Sequence, residues 1–289
     1  QILFNAGIAT ELFPLLIFIG IGAMIDFTPL LKNPFMLLFG AAAQLGIFVT
    51  FSAATLLGFS LKQAGAIGII GAADGPTSIY VANRFAQDLL PAISVAAYSY
   101  MALVPIIQPP VIKLLTSKEE RKIRMDYQAG EVPKVVKIIF PIAITLIAGI
   151  FVPASAALIG FLMFGNLIRE CGVLESLSKS AQNELANLVT IFLGISIAST
   201  MRGEAFLRPQ TLLIFILGLV AFIFDTAGGV LFAKFINLFR KNKINPMIGA
   251  CGISAFPMSA RVIHQMGQKE DPFNFLLMPA VSVNVGGQI

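Results

Sequence analysis

The chain has no tryptophan, a single histidine and two cysteines, and only 12% of its 289 residues are charged. An ordinary soluble domain carries roughly a quarter charged residues. His264 stands alone, and Cys171 and Cys251 lie in apolar surroundings without a partner motif. A disulfide scaffold, a zinc site and haem ligation are therefore excluded as readings. What is abundant is apolar: 57% of the residues are hydrophobic and the mean hydropathy is +0.86. A soluble core of this length has no use for so much apolar surface. The net charge of +5 would suggest nucleic acid in a soluble protein, but Lys and Arg cluster in a few loops, so the charge reads as membrane topology and nucleic acid is not an expected partner.

Apolar runs long enough to cross about 30 Å of hydrocarbon at 1.5 Å per helical residue recur along the chain. Candidate spans fall near 12–26, 35–59, 91–113, 135–151, 154–168, 184–200, 211–239 and 273–289. Two apolar stretches do not fit. Residues 61–90 are interrupted by Asp74-Gly75-Pro76, and residues 245–270 by Asn245-Pro246, Gly249, Gly252 and Phe256-Pro257. Proline and glycine at this density break a helix and free backbone groups, which hydrocarbon tolerates only where protein or a watery cavity supplies partners. Both stretches are expected to be broken, re-entrant helices. The chain opens at Gln1 in an amphipathic stretch and stops at Ile289 in an apolar one, so truncation at both ends is expected, with no signal peptide to set aside.

Positive charge orients the threading. Lys113, Lys118, Arg121, Lys122, Arg124, Lys134 and Lys137 fall in one loop and Arg240, Lys241 and Lys243 in another. Placing both inside, with the broken stretches returning to the side they entered, also puts Lys32, Arg169, Lys179 and Lys269 inside, and leaves Lys62, Arg84, Arg202 and Arg208 outside. A repeat emerges from the same threading. Ile17 to Gly22 resembles Ile191 to Ser196, and Ile70-Gly71-Ala72-Ala73 recurs as Ile248-Gly249-Ala250-Cys251. An odd number of crossings separates the copies, so the second is inverted. The expected fold is an all-α polytopic membrane protein: a first repeat over 1–134 with its broken helix at 61–90, then connecting spans and a second repeat over 135–289 with its broken helix at 245–270. The two breaks would meet near the midplane, as in ion-coupled transporters.

Asp74 is the most informative residue. A charged side chain at the bilayer centre costs about 2.5–3.5 kcal/mol or more, and it faces a cavity, a partner or an ion. At the break, free carbonyls with the Asp74 carboxylate and the hydroxyls of Thr77 and Ser78 make a hard-oxygen cage for sodium or a proton. The competing reading is that Asp74 caps the second half-helix. Asn245, Ser254 and the carbonyls around Gly249 and Gly252 offer the same oxygen chemistry in the second stretch. Arg261 adds a fork matched to a substrate carboxylate; alternatively it snorkels to headgroups or pairs with Asp74 or Asp225. Tyr98, Tyr100 and Gln108 sit on a proline-bent span, where a phenol near an ion site can donate a proton or merely pack. Asp225 is a second intramembrane acid of unassigned role. The run from Ser117 to Glu131 reads as a solvated loop able to meet an acidic partner.

At Gly71 to Thr77, Ala97 to Pro110, Asn245 to Gly249 and Phe256 to Val262, in that order and over essentially the whole chain, the sequence resembles the β subunits of sodium-translocating, biotin-dependent decarboxylases acting on oxaloacetate, methylmalonyl-CoA or glutaconyl-CoA. The resemblance implies a multi-pass protein of the bacterial cytoplasmic (inner) membrane. A carrier subunit would bring carboxybiotin, biotin not being attached to this chain, and decarboxylation would consume a proton and drive sodium outward. The implied partners are the biotin carrier and carboxyltransferase subunits, a small membrane subunit and further copies of this chain in a homo-oligomer. The resemblance carries sodium ligation onto Asp74, Asn245, Gly249 and Ser254, carboxybiotin binding and catalysis onto Arg261, and proton delivery or a second sodium site onto Tyr100, with Asp74 also catalytic. One departure is that Leu277-Met278-Pro279-Ala280 stands where the family commonly reads Leu-Met-His-Ala. The wording of Ile67 to Asp74 and of Phe164 to Leu174 leans toward the acyl-CoA members.

Two rival classes share parts of this pattern. A sodium-coupled organic-anion symporter would keep the broken helices, the oxygen cage and Arg261 but release no carbon dioxide. A structural anchor for a cytoplasmic complex would have no use for an intramembrane acid.

Overall fold

The computed structural model describes residues 2–125, 131–199, 201, 203 and 208–289. The described residues are helical throughout, without strands. The principal helices are α1 (Leu12–Met24), α2 (Leu37–Ala43), α3 (Leu45–Leu56), α4 (Leu61–Gly68), α5 (Gly75–Phe85), α6 (Leu90–Leu115), α7 (Lys134–Phe151), α8 (Ala156–Cys171), α9 (Ala186–Ala198), α10 (Pro209–Asn237), α11 (Met258–Glu270) and α12 (Leu277–Gly286). Five helical runs are long and apolar enough to cross a membrane: Pro34–Leu56, Gln87–Leu115, Lys134–Phe151, Pro153–Cys171 and Pro209–Asn237. The chain is thus a polytopic membrane protein, and seven of the eight expected spans overlap these runs or the shorter apolar helices α1 and α12, whereas 184–200 corresponds to the 13-residue helix α9. Arg202 of the expected outer loop, and residues 126–130 of the basic loop, lie outside the described residues.

Local chemistry sets the boundaries. Ser60 and Gln63 form a reciprocal capping box that starts α4. Pro91 sits in the first turn of α6, where its missing N–H has no helical partner to lose. Further on, α6 carries Pro105, Pro109 and Pro110 in its interior, so its ladder is incomplete, and its Gln108 is correspondingly a bridge to another segment. Between α2 and α3 the helix is interrupted at Gln44, whose carbonyl is reached by the Ile47 N–H at 3.1 Å in place of a regular α-turn.

Burial ranks the spans. In α10 56% of the hydrophobic window is buried, against 6% in α7. α10 is therefore the central post, packed on α3, α6, the first break and the second broken stretch, whereas α7 lies at the periphery against α8. α10 supplies Phe222 and Val230 to one apolar cluster and Ile214 and Leu217 to the other. α1 packs on α8, with Gly22 facing the Leu162 carbonyl and Gly165 the Ile19 carbonyl, the close approach that small residues permit between membrane helices.

Both interrupted stretches leave the α conformation where the punctuation lies. After α4 the chain tightens into a 3₁₀ turn, Ile69–Ala72. It then passes through Ala73 at φ +53° and Asp74 at φ −120°, ψ 104°, and resumes as α5. The second stretch is a 3₁₀ helix, Pro246–Gly252, followed by an extended Ile253 and then α11.

The described part of the basic loop is more ordered than its charge suggests. Arg121 is buried; its guanidinium donates to the Thr116 carbonyl at 2.6 Å and pairs with Glu270 at 2.8 Å. Arg124 holds Asp271 through both carboxylate oxygens at 2.6 and 3.0 Å, and Lys234 reaches Glu120 at 3.1 Å. Residues 117–125 are largely solvated, with Ser117, Lys118, Glu119, Lys122 and Arg124 exposed, while two buried amides, Asn245 and Asn274, clamp the backbone. Arg121 keeps Glu270 ionised below the usual carboxylate range, and the hydrogen bonds from Arg124 do the same for Asp271.

Candidate functional site

The two broken stretches touch. The backbone N–H of Ser254, just past the second 3₁₀ helix, donates to the carbonyl of Ala72 in the first break at 2.9 Å. Ala72 precedes Asp74 by two residues, so the irregular backbones of both stretches converge beside the buried acid.

Asp74 caps α5, as one of its two readings holds. Its Oδ1 accepts the Thr77 N–H at 3.3 Å and its Oδ2 the Thr77 hydroxyl at 2.6 Å, while the Ser78 hydroxyl donates to the Asp74 carbonyl at 2.8 Å. Capping does not use up a carboxylate, which offers about four acceptor positions. Among the described residues no cation pairs with it, and Arg261 in particular reaches neither Asp74 nor Asp225. Arg261 is exposed in the first turn of α11, and its guanidinium makes no hydrogen bond or ion pair with the described residues.

The freed carbonyls of the second stretch are met by side-chain amides. Gln108 on α6 donates to the Ala250 carbonyl at 2.8 Å and accepts from the Ser259 hydroxyl at 3.0 Å. Asn284 on α12 donates to the carbonyls of Cys251 at 3.1 Å and Ile253 at 2.8 Å. The Ser254 hydroxyl donates to the Gly287 carbonyl at 2.8 Å, and the Gln288 amide donates to the Ser254 carbonyl. Each bond satisfies a carbonyl that hydrocarbon could not, which is why a broken segment survives here. Asn284 is a site residue the sequence reading passed over; its signal is an amide in the apolar run Val283-Asn284-Val285. Its buried Oδ1 has no partner among the described residues, so it is an oxygen free to meet a ligand.

Other expected site residues lie elsewhere. Asn245 heads the 3₁₀ helix, its amide nitrogen donating to the carbonyls of Arg121 at 2.9 Å and Ile123 at 2.8 Å and its oxygen accepting the Met247 N–H at 3.1 Å. The seven-residue 3₁₀ helix Pro246–Gly252, about 14 Å long at about 2 Å per residue, and Ile253 lie between it and Ser254, the residue bonded to the first break. Gly249 is a close-approach point: a Cβ there would lie 2.0 Å from the Gly229 carbonyl of α10. The Tyr100 hydroxyl donates to the Phe215 carbonyl at 2.5 Å. It is the neighbouring phenol, Tyr98, whose ring lies on Gly75, 2.6 Å from where a Cβ would stand.

A cavity of about 860 Å³ opens at the basic end of the molecule, lined by Lys32, Arg124, Arg240, Lys241 and Lys243 with no acidic residue among its described lining. Met278, Pro279 and Ser282 of α12 form one wall. The same helix presents Asn284 to the second stretch, so one element links the basic cavity to the crossing. Pro279, the departure from the family wording, thus faces the cavity.

The family is decided by comparison with known proteins. The model of the family described as "Na+-transporting oxaloacetate decarboxylase beta subunit" matches residues 1–289. The chain belongs to this family of β subunits. It is 56% identical to the glutaconyl-CoA decarboxylase subunit beta of Acidaminococcus fermentans over 283 residues, covering 98% of this chain and 75% of that protein. Identity to the methylmalonyl-CoA decarboxylase subunit beta of Veillonella parvula is 54% over 287 residues, covering 99% and 77%. Identity to the oxaloacetate decarboxylase beta chain 2 of Salmonella typhi is also 54%, over 292 residues, covering 99% and 67%. As a member, this β subunit is the membrane component of a decarboxylase whose reaction is coupled to sodium transport. Relatives of the acyl-CoA and oxaloacetate types match at almost the same identity.

Proposed function

We propose that this β subunit decarboxylates carboxybiotin presented by a carrier subunit and exports sodium through the crossing of its two broken helices. The observation that carries the reading is the Ser254–Ala72 hydrogen bond beside the buried Asp74. It joins the two breaks beside that carboxylate, and the hydroxyls of Thr77 and Ser254 and the unpartnered oxygen of Asn284 are further hard oxygens on or against these segments. Hard oxygens of this kind suit sodium, and broken helices supply such sites in transporters. Asp74 and Ser254 are assigned to the ion. Asn245 and Gly249 build the segment that carries Ser254, the first by capping it against the Arg121–Ile123 backbone and the second by letting it cross Gly229.

The basic cavity is assigned to the carboxylated carrier, because its described lining carries five cations and no acid, and with Arg124 held by Asp271 the balance still attracts an anion. Arg261, with no partner among the described residues, is assigned to the carboxylate itself, for which its planar fork is suited. In the reaction the N–CO₂ bond of carboxybiotin breaks, carbon dioxide leaves and the ring nitrogen gains a proton. Proton delivery is assigned to the two phenols of α6: Tyr98, lying on Gly75, and Tyr100. Exporting one charge against 100 mV costs about 2.3 kcal/mol.

The halves 1–134 and 135–289 act as inverted repeats whose relative movement gives alternating access. The protein sits in the bacterial inner membrane with its basic end in the cytoplasm, in a complex with carboxyltransferase, carrier and small membrane subunits and with further copies of itself. The acyl-CoA class is slightly favoured as the substrate of the whole complex by the wording of residues 67–74 and 164–174.

The test is carbon dioxide release from carboxybiotin by the protein in liposomes, with and without sodium. Sodium-dependent release supports the reading. Sodium-dependent anion uptake without release establishes the symporter instead.

A further inference from the structure

Asp225 lies in the middle of α10, is 0% exposed, and takes no part in the site just described. Its Oδ1 accepts the Ile47 N–H at 3.1 Å, at the interruption between α2 and α3. Its Oδ2 has no hydrogen-bond partner among the described residues. That oxygen faces Gly71 of the first break, 2.3 Å from where a Cβ would stand, and Gly46 leaves similar room beside Oδ1. Three elements that depart from regular helix or carry the central post therefore meet at one carboxyl.

Its surroundings supply no compensating charge. α2 and α3 carry no titratable side chain, and α4 carries only Lys62, exposed at its far end. The 3₁₀ turn Ile69–Ala72 has none, and Asp74 beyond it is engaged with Thr77. On α6, Tyr100 is bonded to Phe215 and Lys113 is exposed. Cys251 on the second stretch makes no bond to Asp225, and Lys234 on α10 is paired with Glu120. An ionised carboxylate with one bare oxygen and no cation is strongly disfavoured in such a place. Among the described residues no cluster of His, Cys, Asp or Glu surrounds it to hold a metal ion, and a proton is the smallest cation that removes the charge.

We propose that Asp225 is a proton-binding site, distinct from the Asp74 crossing, loaded in this conformation and unloaded when the first broken helix moves away from α10. The exchange is simple: the carboxylic acid releases its proton to water admitted beside Gly71, and the resulting carboxylate takes one back from that water before the gap closes. Because Gly71 is three residues from Asp74, any displacement of the break that accompanies sodium occupancy also changes the surroundings of Oδ2. This second half rests on the sodium reading above, whereas the loaded proton does not.

Infrared difference spectroscopy of the purified full chain tests it. At neutral pH the wild type shows the C=O stretch of a buried protonated acid, which Asp225→Asn removes and Asp74→Asn leaves. Asp225→Glu, which keeps the acid, shifts that band and serves if the amide variant does not fold. A wild-type spectrum with no band sensitive to either Asp225 substitution overturns the proposal. On adding sodium, the Asp225 band changes in wild type and not in Asp74→Asn. A band that is present but indifferent to sodium in wild type overturns the coupling while leaving the proton site.

Discussion

The Ser254 N–H and the Ala72 carbonyl, 182 residues apart in sequence (254 − 72), are joined by a hydrogen bond of 2.9 Å. Neither group belongs to a regular helix, so each would otherwise lack a partner inside the membrane. The bond ties the two interrupted stretches together two residues before Asp74, and the functional account depends on that convergence.

Asp74→Asn separates the two roles of this residue. Asparagine caps a helix as well as aspartate does, so α5 is preserved, and thermal unfolding in detergent shifts little. The charge is lost, and sodium-dependent decarboxylation falls by more than tenfold. Asp74→Ala loses the cap as well and unfolds earlier, by about 1 kcal/mol.

Asn284→Leu leaves the carbonyls of Cys251 and Ile253 without their donor. Each unsatisfied buried group costs about 1–3 kcal/mol, so the variant is destabilised by at least that amount in a denaturation assay. Gln108→Leu acts in the same direction through Ala250.

Gly249→Ala forces a methyl group into the Gly229 carbonyl. Backbone cannot move aside as a side chain can, and overpacking costs about 1–3 kcal/mol. The expected result is a folded protein with reduced activity and a lowered unfolding temperature. Gly194→Ala, with open space around it, is the control and changes neither.

The pairs at the basic end predict an acid limb of stability. Arg121 lowers Glu270, and Arg124 lowers Asp271, below their ordinary values. A lowered carboxylate contributes stability that is present above its unfolded pKa, roughly 4, and is lost as pH falls through the folded value. Unfolding temperature measured from pH 7 downward should therefore begin to fall near pH 4, and Glu270→Gln with Asp271→Asn should flatten that limb. Glu270 and Asp271 are 20% and 16% exposed, but Arg124 is 59% exposed and solvent screens its pair, so the Asp271 share of the effect is small.

The spans and the two breaks were legible because length, proline and glycine act locally: Asp74-Gly75-Pro76 interrupts a helix wherever it stands. Which residues meet across the break was less so. Tyr98 and Tyr100 are two positions apart and so about 200° apart around α6; only one can face Gly75, and no local signal distinguishes them. Asn245 reads as an oxygen ligand from its neighbours, yet its amide is committed to the backbone of Arg121 and Ile123, a contact across 122–124 residues. Asn284 carried a visible signal, an amide in an apolar run, but its target carbonyls lie 31–33 residues away. Packing over such distances follows from the whole fold, not from spacing.

The measurement that tests the central claim most directly is equilibrium binding of radioactive sodium to the purified protein, comparing wild type with Asp74→Asn, Ser254→Ala and Arg261→Gln. The account predicts saturable binding in wild type, its loss in Asp74→Asn, weakening by about tenfold in Ser254→Ala and no change in Arg261→Gln. Wild-type binding in a folded Asp74→Asn variant would contradict it and move the sodium site away from the crossing of the two broken helices.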